Sequence, residues 1–182
     1  DLELLARALN SPNADARAAG TRVLCYWRDR VPNALGELRR LASDENARVR
    51  LHAVRAASFF PSLEATEVAL PALTLPVDYY LDYVIGETLR QLRPQWRKSL
   101  DEAGTFAGNP GSTRYLLRTL SVAEVMKMPR SPEVAQNLLG RPGVSDAIRA
   151  EALQQLAQAR NVLPVQLVLE TIQSPAEIDT RG

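Results

Sequence analysis

The sequence is short of most residues that small-molecule chemistry draws on. Its 182 residues hold one cysteine, Cys25, and one histidine, His52. A lone thiol excludes an internal disulfide and a cysteine-built metal cage, and a lone imidazole excludes a His-rich metal site. Aromatics are 5% of the chain, too few for a sheet sandwich, so a core must come from Leu, Ala and Val in closely packed helices. Lys98 and Lys127 are the only lysines, which reads as a compositional bias toward arginine. The formal net charge of +1 commits the chain neither to nucleic acid nor to an anionic membrane. No uninterrupted apolar run approaches the roughly 18 residues that cross a bilayer. The glycines of GNPGS, 108–112, match neither dinucleotide nor P-loop spacing.

What the chain does have is a succession of helix starts. Ser11-Pro12 precedes NADARAAGTRVLCYW, Pro32-Asn33 precedes ALGELRRLA, and Asp44 is expected to cap DENARVRLHAVRAASFF. Pro61-Ser62 introduces LEATEVALPAL, Pro76 precedes VDYYLDYVIGETLRQL, and Pro94 precedes QWRKSL. Farther on, Ser121 and Glu124 have capping-box spacing, Ser131-Pro132 opens EVAQNLL, Ser145 opens DAIRAEALQQLAQA, and Pro164 opens VQLVLETIQ. No stretch alternates with period two between hairpin turns. The expectation is an all-α chain of about ten or eleven short helices, with 104–111 as a glycine-rich connector between 1–103 and a less regular helical 112–182 that continues the array. The chain opens at Asp1 on a helix-like DLELLARALN, without Met or signal peptide, and reads as a piece of a longer protein.

The pattern also repeats. Ala16-Arg17 and the following AAGTRVLCYW match Val49-Arg50 and the following LHAVRAASFF at an offset of 33 residues, and Ile148-Arg149 with AEALQQLA recovers the same pattern. Within 44–60, Leu51, Val49, Ala53, Val54 and Ala57 sweep out one apolar arc, and Arg50 falls in the middle of it. A turn with Asp or Ser, then a helix opening Val-Arg, resembles the HEAT repeat. The residues that carry the resemblance are Asp44, Val49 and Arg50, and more loosely Ser11, Ala16 and Arg17. The resemblance implies a right-handed α-solenoid of helix pairs with a hydrogen-bonded ladder inside the stack. Asp44, Arg50, Arg17 and Arg149 are its candidate members. Near Tyr83 no arginine takes the corresponding place, so the ladder departs from the pattern there.

A second resemblance rests on RVRLHAVRAASFF, EVALPAL, DYYLDYVIGETLRQL and GSTRYLLRTLSVAEVMKMPR. These runs are similar to the helical segment of planctomycete-type proteins labelled membrane-bound dehydrogenases or haem-binding cytochrome c proteins. In that family a sugar-dehydrogenase-like β-propeller precedes the helices and a c-type cytochrome domain follows. The resemblance implies an exported or periplasmic parent with haem elsewhere in it. No cofactor is expected in this segment, whose Cys25 and His52 stand apart.

Cys25, among apolar neighbours, reads as a buried small hydrophobe rather than a reactive thiol. His52 shares a helix face with Arg48 and Arg55 and reads as a solvated histidine, which leaves no base for a catalytic triad. In VDYYLDYVIGE, Tyr79 and Tyr83 share a face, as do Asp78 and Asp82. These four either cap and pack on the next helix or form a docking patch. Arg90, Arg93, Arg97 and Lys98 around Trp96 could grip phosphate and stack a base, as in helical-repeat DNA glycosylases. Nearby Glu87, Asp101 and Glu102 favour a solvated helix end instead. The function expected is a non-catalytic scaffold or spacer that docks flanking domains of its parent or another protein, with no membrane insertion. An independent protein- or nucleic-acid-binding module is the alternative, and an enzyme in its own right ranks third.

Overall fold

The computed structural model describes residues 1–106 and 109–173, and every regular element among them is helical. The chain divides into two compact units, 1–98 and 99–182. The division falls inside the helix Arg93–Ala103, so Gly104 and the residues after it belong to the second unit rather than lying between the two.

In the first unit the helices come in pairs. Helices α1 (Leu2–Leu9) and α2 (Ala14–Tyr26) form the first, α3 (Ala34–Leu41) and α4 (Ala47–Ala57) the second. The third joins α5 (Leu63–Ala69) to α6 (Tyr79–Gln91) through a 3-10 turn over Leu70–Thr74. Pro71 sits at the start of that turn, where it removes a donor and ends the α-helix. Partners pack within each pair, and α2 packs on α4, α4 on α6, and α3 on α5. Each pair therefore closes its apolar face against the next. Helix α4 is at the centre, burying Val49, Ala53, Val54, Ala56 and Ala57, whose small side chains let four neighbours, α2, α3, α5 and α6, approach. Close approach also fixes Gly20: a Cβ there would sit 3.2 Å from both Ala8 Cβ and Leu9 Cδ2 of α1.

Two caps lie two residues beyond the sequence expectation, for one physical reason. Asn13 and Asn46, not Ser11 and Asp44, cap α2 and α4. The Asn13 side chain accepts from Asp15 N (2.8 Å) and Ala16 N (3.3 Å), and that of Asn46 from Arg48 N (3.0 Å). Ser11 Oγ and Asp44 Oδ1 each accept from the cap residue's own N–H, at 3.2 and 2.9 Å, and so form the turn that leads into the helix. That leaves the rest of the Asp44 carboxylate to pair elsewhere.

The second unit contains the end of α7 (Arg93–Ala103), then α8 (Pro110–Arg118), α9 (Val122–Val125), α10 (Pro132–Gly140), α11 (Asp146–Arg160) and α12 (Pro164–Gln173). Helix α10 packs on α8, α9 and α11, and α11 on α12. The Ser121–Glu124 capping box forms with both of its hydrogen bonds. The described part of 104–111 is anchored. Phe106 is buried and its N–H donates to Thr113 Oγ1 (2.9 Å), while Ser131 Oγ donates to the Gly104 carbonyl (2.6 Å). Gly104 has φ +67°, and a Cβ there would lie 2.4 Å from the Pro129 carbonyl oxygen. Only glycine fits. Twelve α-helices are present among the described residues, against the ten or eleven expected.

Candidate functional site

Three of the four ladder candidates meet in one network at the α2–α4 seam. Arg17 grips the Asp44 carboxylate with both arms, Nε to Oδ2 at 2.7 Å and Nη2 to Oδ1 at 2.9 Å. Its Nη1 donates to the carbonyls of Ser11 (3.0 Å) and Pro12 (3.1 Å). One repeat later Arg50 does the same to its own turn, with Nη1 donating to the carbonyls of Asp44 (2.8 Å) and Glu45 (2.9 Å). Asp44 thus joins the two repeats, taking Arg17 on its carboxylate and Arg50 on its carbonyl. Arg50, 1% exposed, has no carboxylate of its own: its Nη2 donates to the Pro76 carbonyl, and its buried Nε has no hydrogen-bond partner among the described residues. Asp78 is exposed and instead caps α6, accepting from Leu81 N at 2.8 Å. The ladder therefore ends on a backbone carbonyl.

The electrostatics match a structural role. Burial alone would raise the Asp44 carboxyl. The hydrogen bonds from Arg17 and the Asn46 amide, with the Arg17 charge, outweigh it and hold the group below the ordinary carboxylate range. Arg17 is held above its ordinary value, chiefly by its hydrogen bond to Asp44. Neither group has a proton to exchange near neutral pH.

Arg149, the fourth candidate, belongs to the second unit, where Nη2 donates to the Arg141 carbonyl at 3.0 Å. The larger network there centres on Arg141, which the sequence reading passed over. Its guanidinium donates to the carbonyls of Leu117 (3.4 Å), Arg118 (3.3 Å) and Leu120, and to Asn137 Oδ1 (3.2 Å). It satisfies carbonyls that the end of α8 leaves without intrahelical partners. Its position just after Gly140, at the end of α10, was the available signal.

Three further groups of side chains lie outside these networks. Tyr79 and Tyr83 open α6 together with Tyr80, and the three are 78%, 61% and 70% exposed, so they stand in solvent rather than pack on a neighbouring helix. Tyr79 and Tyr80 meet edge to face at 5.5 Å, and Asp82 is exposed beside them. In the basic cluster, Trp96 is 2% exposed and donates Nε1–H to the Leu89 carbonyl at 2.7 Å, so it has no free face on which to stack a base. Arg90 there pairs with Glu87 at 2.6 Å.

The third group corrects the expectation of a buried Cys25 and a solvated His52, since both are half-buried. Cys25 and His52, which stand apart in sequence, line one cavity of about 70 Å³ with Arg22, Tyr26, Arg55 and Phe59. Burial pushes the Cys25 thiol up, against the opposing charges of Arg28 and Arg55. Burial also lowers His52, and the charges of Arg22, Arg48 and Arg55 lower it further. A nucleophilic Cys–His pair needs the reverse shifts, a lowered thiol beside a protonated imidazole. Two neutral groups do not make one. A second cavity, about 450 Å³ between α11 and α12, is lined by Gln154, Ala157, Leu163, Pro164 and their neighbours and carries no ionisable side chain.

Among the described residues no group of three or more His, Cys, Asp or Glu could hold a metal ion, and no helix is long and apolar enough to cross a membrane. No curated protein and no solved structure matches the chain. Residues 2–90 match the family described as HEAT repeats, the span over which the helix pairs stack and the arginine ladder forms. The first half of the chain is a HEAT-repeat segment.

Proposed function

We propose that the chain is a non-catalytic scaffold whose HEAT repeats hold and dock other protein modules. The observation that carries this reading is the contrast within the first unit. The α2–α4 seam is locked by Arg17, Asp44 and Arg50, whereas α6 opens with three tyrosines in solvent. A stack fixed from within can present a surface without rearranging. Tyrosine supplies large amphipathic contact area at little loss of side-chain freedom, which is why it is enriched at protein interfaces. Asp78, Tyr79, Asp82 and Tyr83, joined by Tyr80, are the proposed docking face. The finer reading rests on the resemblance to planctomycete-type dehydrogenase and cytochrome c proteins: a spacer between redox modules of an exported parent that carries its haem elsewhere.

Hydroxyl-radical footprinting tests the docking face. The isolated 182-residue chain would be compared with the product of the complete reading frame that contains it. Protection of Tyr79, Tyr80 and Tyr83 in the longer product is the expected result, while equal labelling in both would sink the assignment. The same reading frame decides the parent, since a downstream pair of cysteines followed by histidine is expected there.

A further inference from the structure

The cavity between α2 and α4 has a property that the scaffold reading does not use. Arginines of the first unit generally have an acidic or carbonyl partner. Arg17 has Asp44, Arg39 has Glu67, Arg40 has Glu37, Arg48 has Asp15, and Arg50 has three carbonyls. Arg28 donates to the Cys25 carbonyl and stacks on Phe59 at 5.2 Å. Arg7, Arg22, Arg30 and Arg55 make no side-chain hydrogen bond or ion pair among the described residues, and Arg30 lies over the Trp27 ring at 4.9 Å. Of these, Arg22 and Arg55 are exposed and share one cavity. They occupy equivalent places in consecutive repeats, five residues after the ladder arginines Arg17 and Arg50, and they line the same cavity. The two repeats therefore set two unneutralised cations around one hollow.

Size and lining narrow what the hollow can take. About 70 Å³ is far below the roughly 300–1,000 Å³ of a cofactor or drug-sized site. It is several times the roughly 10–15 Å³ that one water needs by the same measure, and so has room for one small anionic group. Guanidiniums bind carboxylates through two parallel hydrogen bonds. Tyr26 and Phe59, 77% and 45% exposed, flank the hollow and offer apolar surface to whatever carries the anion. A free ion has no use for those rings. An acidic side chain on a peptide does, since the residue beside it can lie across them.

We propose that the Arg22–Arg55 hollow is a docking point for a carboxylate side chain of an acidic polypeptide segment. Arg22 and Arg55 bind the carboxylate, and Tyr26 and Phe59 pack against the neighbouring residue. His52, between cations and without a hydrogen bond of its own side chain, is positioned to join them when protonated. This surface belongs to α2 and α4, whereas the tyrosine face belongs to α6, so either assignment can fail without the other.

Fluorescence anisotropy on the full 182-residue chain tests the proposal, with labelled octaglutamate as the probe and octaglutamine, inorganic phosphate and a short DNA duplex as comparisons. Octaglutamate should bind, weaken as salt is raised, and lose at least about tenfold in affinity in the Arg22→Gln/Arg55→Gln double variant. Arg48→Gln, which removes a charge already paired with Asp15, should stay within about twofold. Arg22 and Arg55 are exposed and make no side-chain hydrogen bonds or ion pairs among the described residues, so thermal melts of the double variant should match wild type. Octaglutamine binding equally well, or a double variant that binds like wild type, overturns the proposal. Competition by phosphate at the same concentration shows a free-anion site, and tighter binding of the duplex shows a nucleic-acid surface; either result also overturns it.

Discussion

At the residue scale, Arg50 shows what a helical pattern can and cannot reveal. The apolar arc of 44–60 makes its burial legible, because Arg50 lies between Val49, Ala53 and Val54 on that arc. Its partners were not legible. They are the carbonyls of Asp44, Glu45 and Pro76, and every residue has a carbonyl, so no side-chain pattern marks the right ones. Arg50→Ala should lower stability by about 2–4 kcal/mol in urea melts, because three carbonyls lose their donor in a closed seam. Arg48→Ala, whose ion pair with Asp15 is open to solvent, should cost under about 0.5 kcal/mol. Equal losses would mean that the seam does not depend on the guanidinium. Titration gives a second test. His52 and Asp44 both lie below their unfolded values of 6.5 and 3.8, so in each case the unfolded chain binds the proton more readily. Stability should therefore decline in two windows on acidification, first as pH falls from 6.5 through the folded His52 value, then below 3.8 through that of Asp44. The His52 loss is small because the side chain is only half-buried. Urea midpoints from pH 7 to 3 should lose the upper decline in His52→Gln and keep the lower one. Asp44→Asn should be weaker at neutral pH by about 1–3 kcal/mol, and its deficit should narrow below pH 3.8. A constant deficit would show that the Asp44 charge contributes nothing.

At the element scale, helix starts were readable to within about two residues, and the misses share a cause. Ser11-Pro12 and Asp44 look like caps because hydroxyls and carboxylates cap helices. In each repeat an asparagine two residues later takes the cap, since the earlier residue is committed to the turn and, at Asp44, to Arg17. The turn bonds are local, but the pairing of Asp44 with Arg17 is tertiary and leaves no local trace. Asn46→Ala should cost about 1 kcal/mol through the lost bond to Arg48 N, more than any change at the exposed Glu45 side chain. The glycine-rich stretch after Ala103 was legible as a break but not as an anchored one, because the described part of it is held by partners farther along the chain, at Thr113 and Ser131. Gly104→Ala demands both a left-handed backbone and the space of the Pro129 carbonyl. It should destabilise by at least about 1–3 kcal/mol. A melt unchanged by this substitution would show that the loop can rearrange freely.

At the scale of the whole molecule, the first half was legible because two repeats kept enough of the same residues at an offset of 33 to be seen against each other. The second half offered one echo, at Arg149, and the network that forms there depends on Arg141, which has no counterpart to compare with. Function is less legible than fold for a related reason: stacked repeats are specified by their internal seams, and their surfaces are free to vary. The chemistry that the chain can support is nevertheless bounded by its composition. Covalent haem of the c type needs two thiols and an adjacent histidine, and this chain has Cys25 alone, with His52 on a different helix. Moving electrons from a sugar or alcohol needs a bound carrier, since side chains such as these cannot hold them. The hollow where Cys25 and His52 meet, at about 70 Å³, is too small to admit a flavin or a haem. The purified 182-residue chain should therefore be colourless above the tyrosine and tryptophan bands, and it should pass no electrons from sugars or alcohols to an artificial acceptor. Absorption spectra after dialysis, followed by dye-reduction assays, provide the measurement. A stoichiometric haem or flavin band, or turnover that survives dialysis, would overturn the scaffold reading, and the exposed Tyr79–Tyr83 face of α6 would be the first place to look for the missed site.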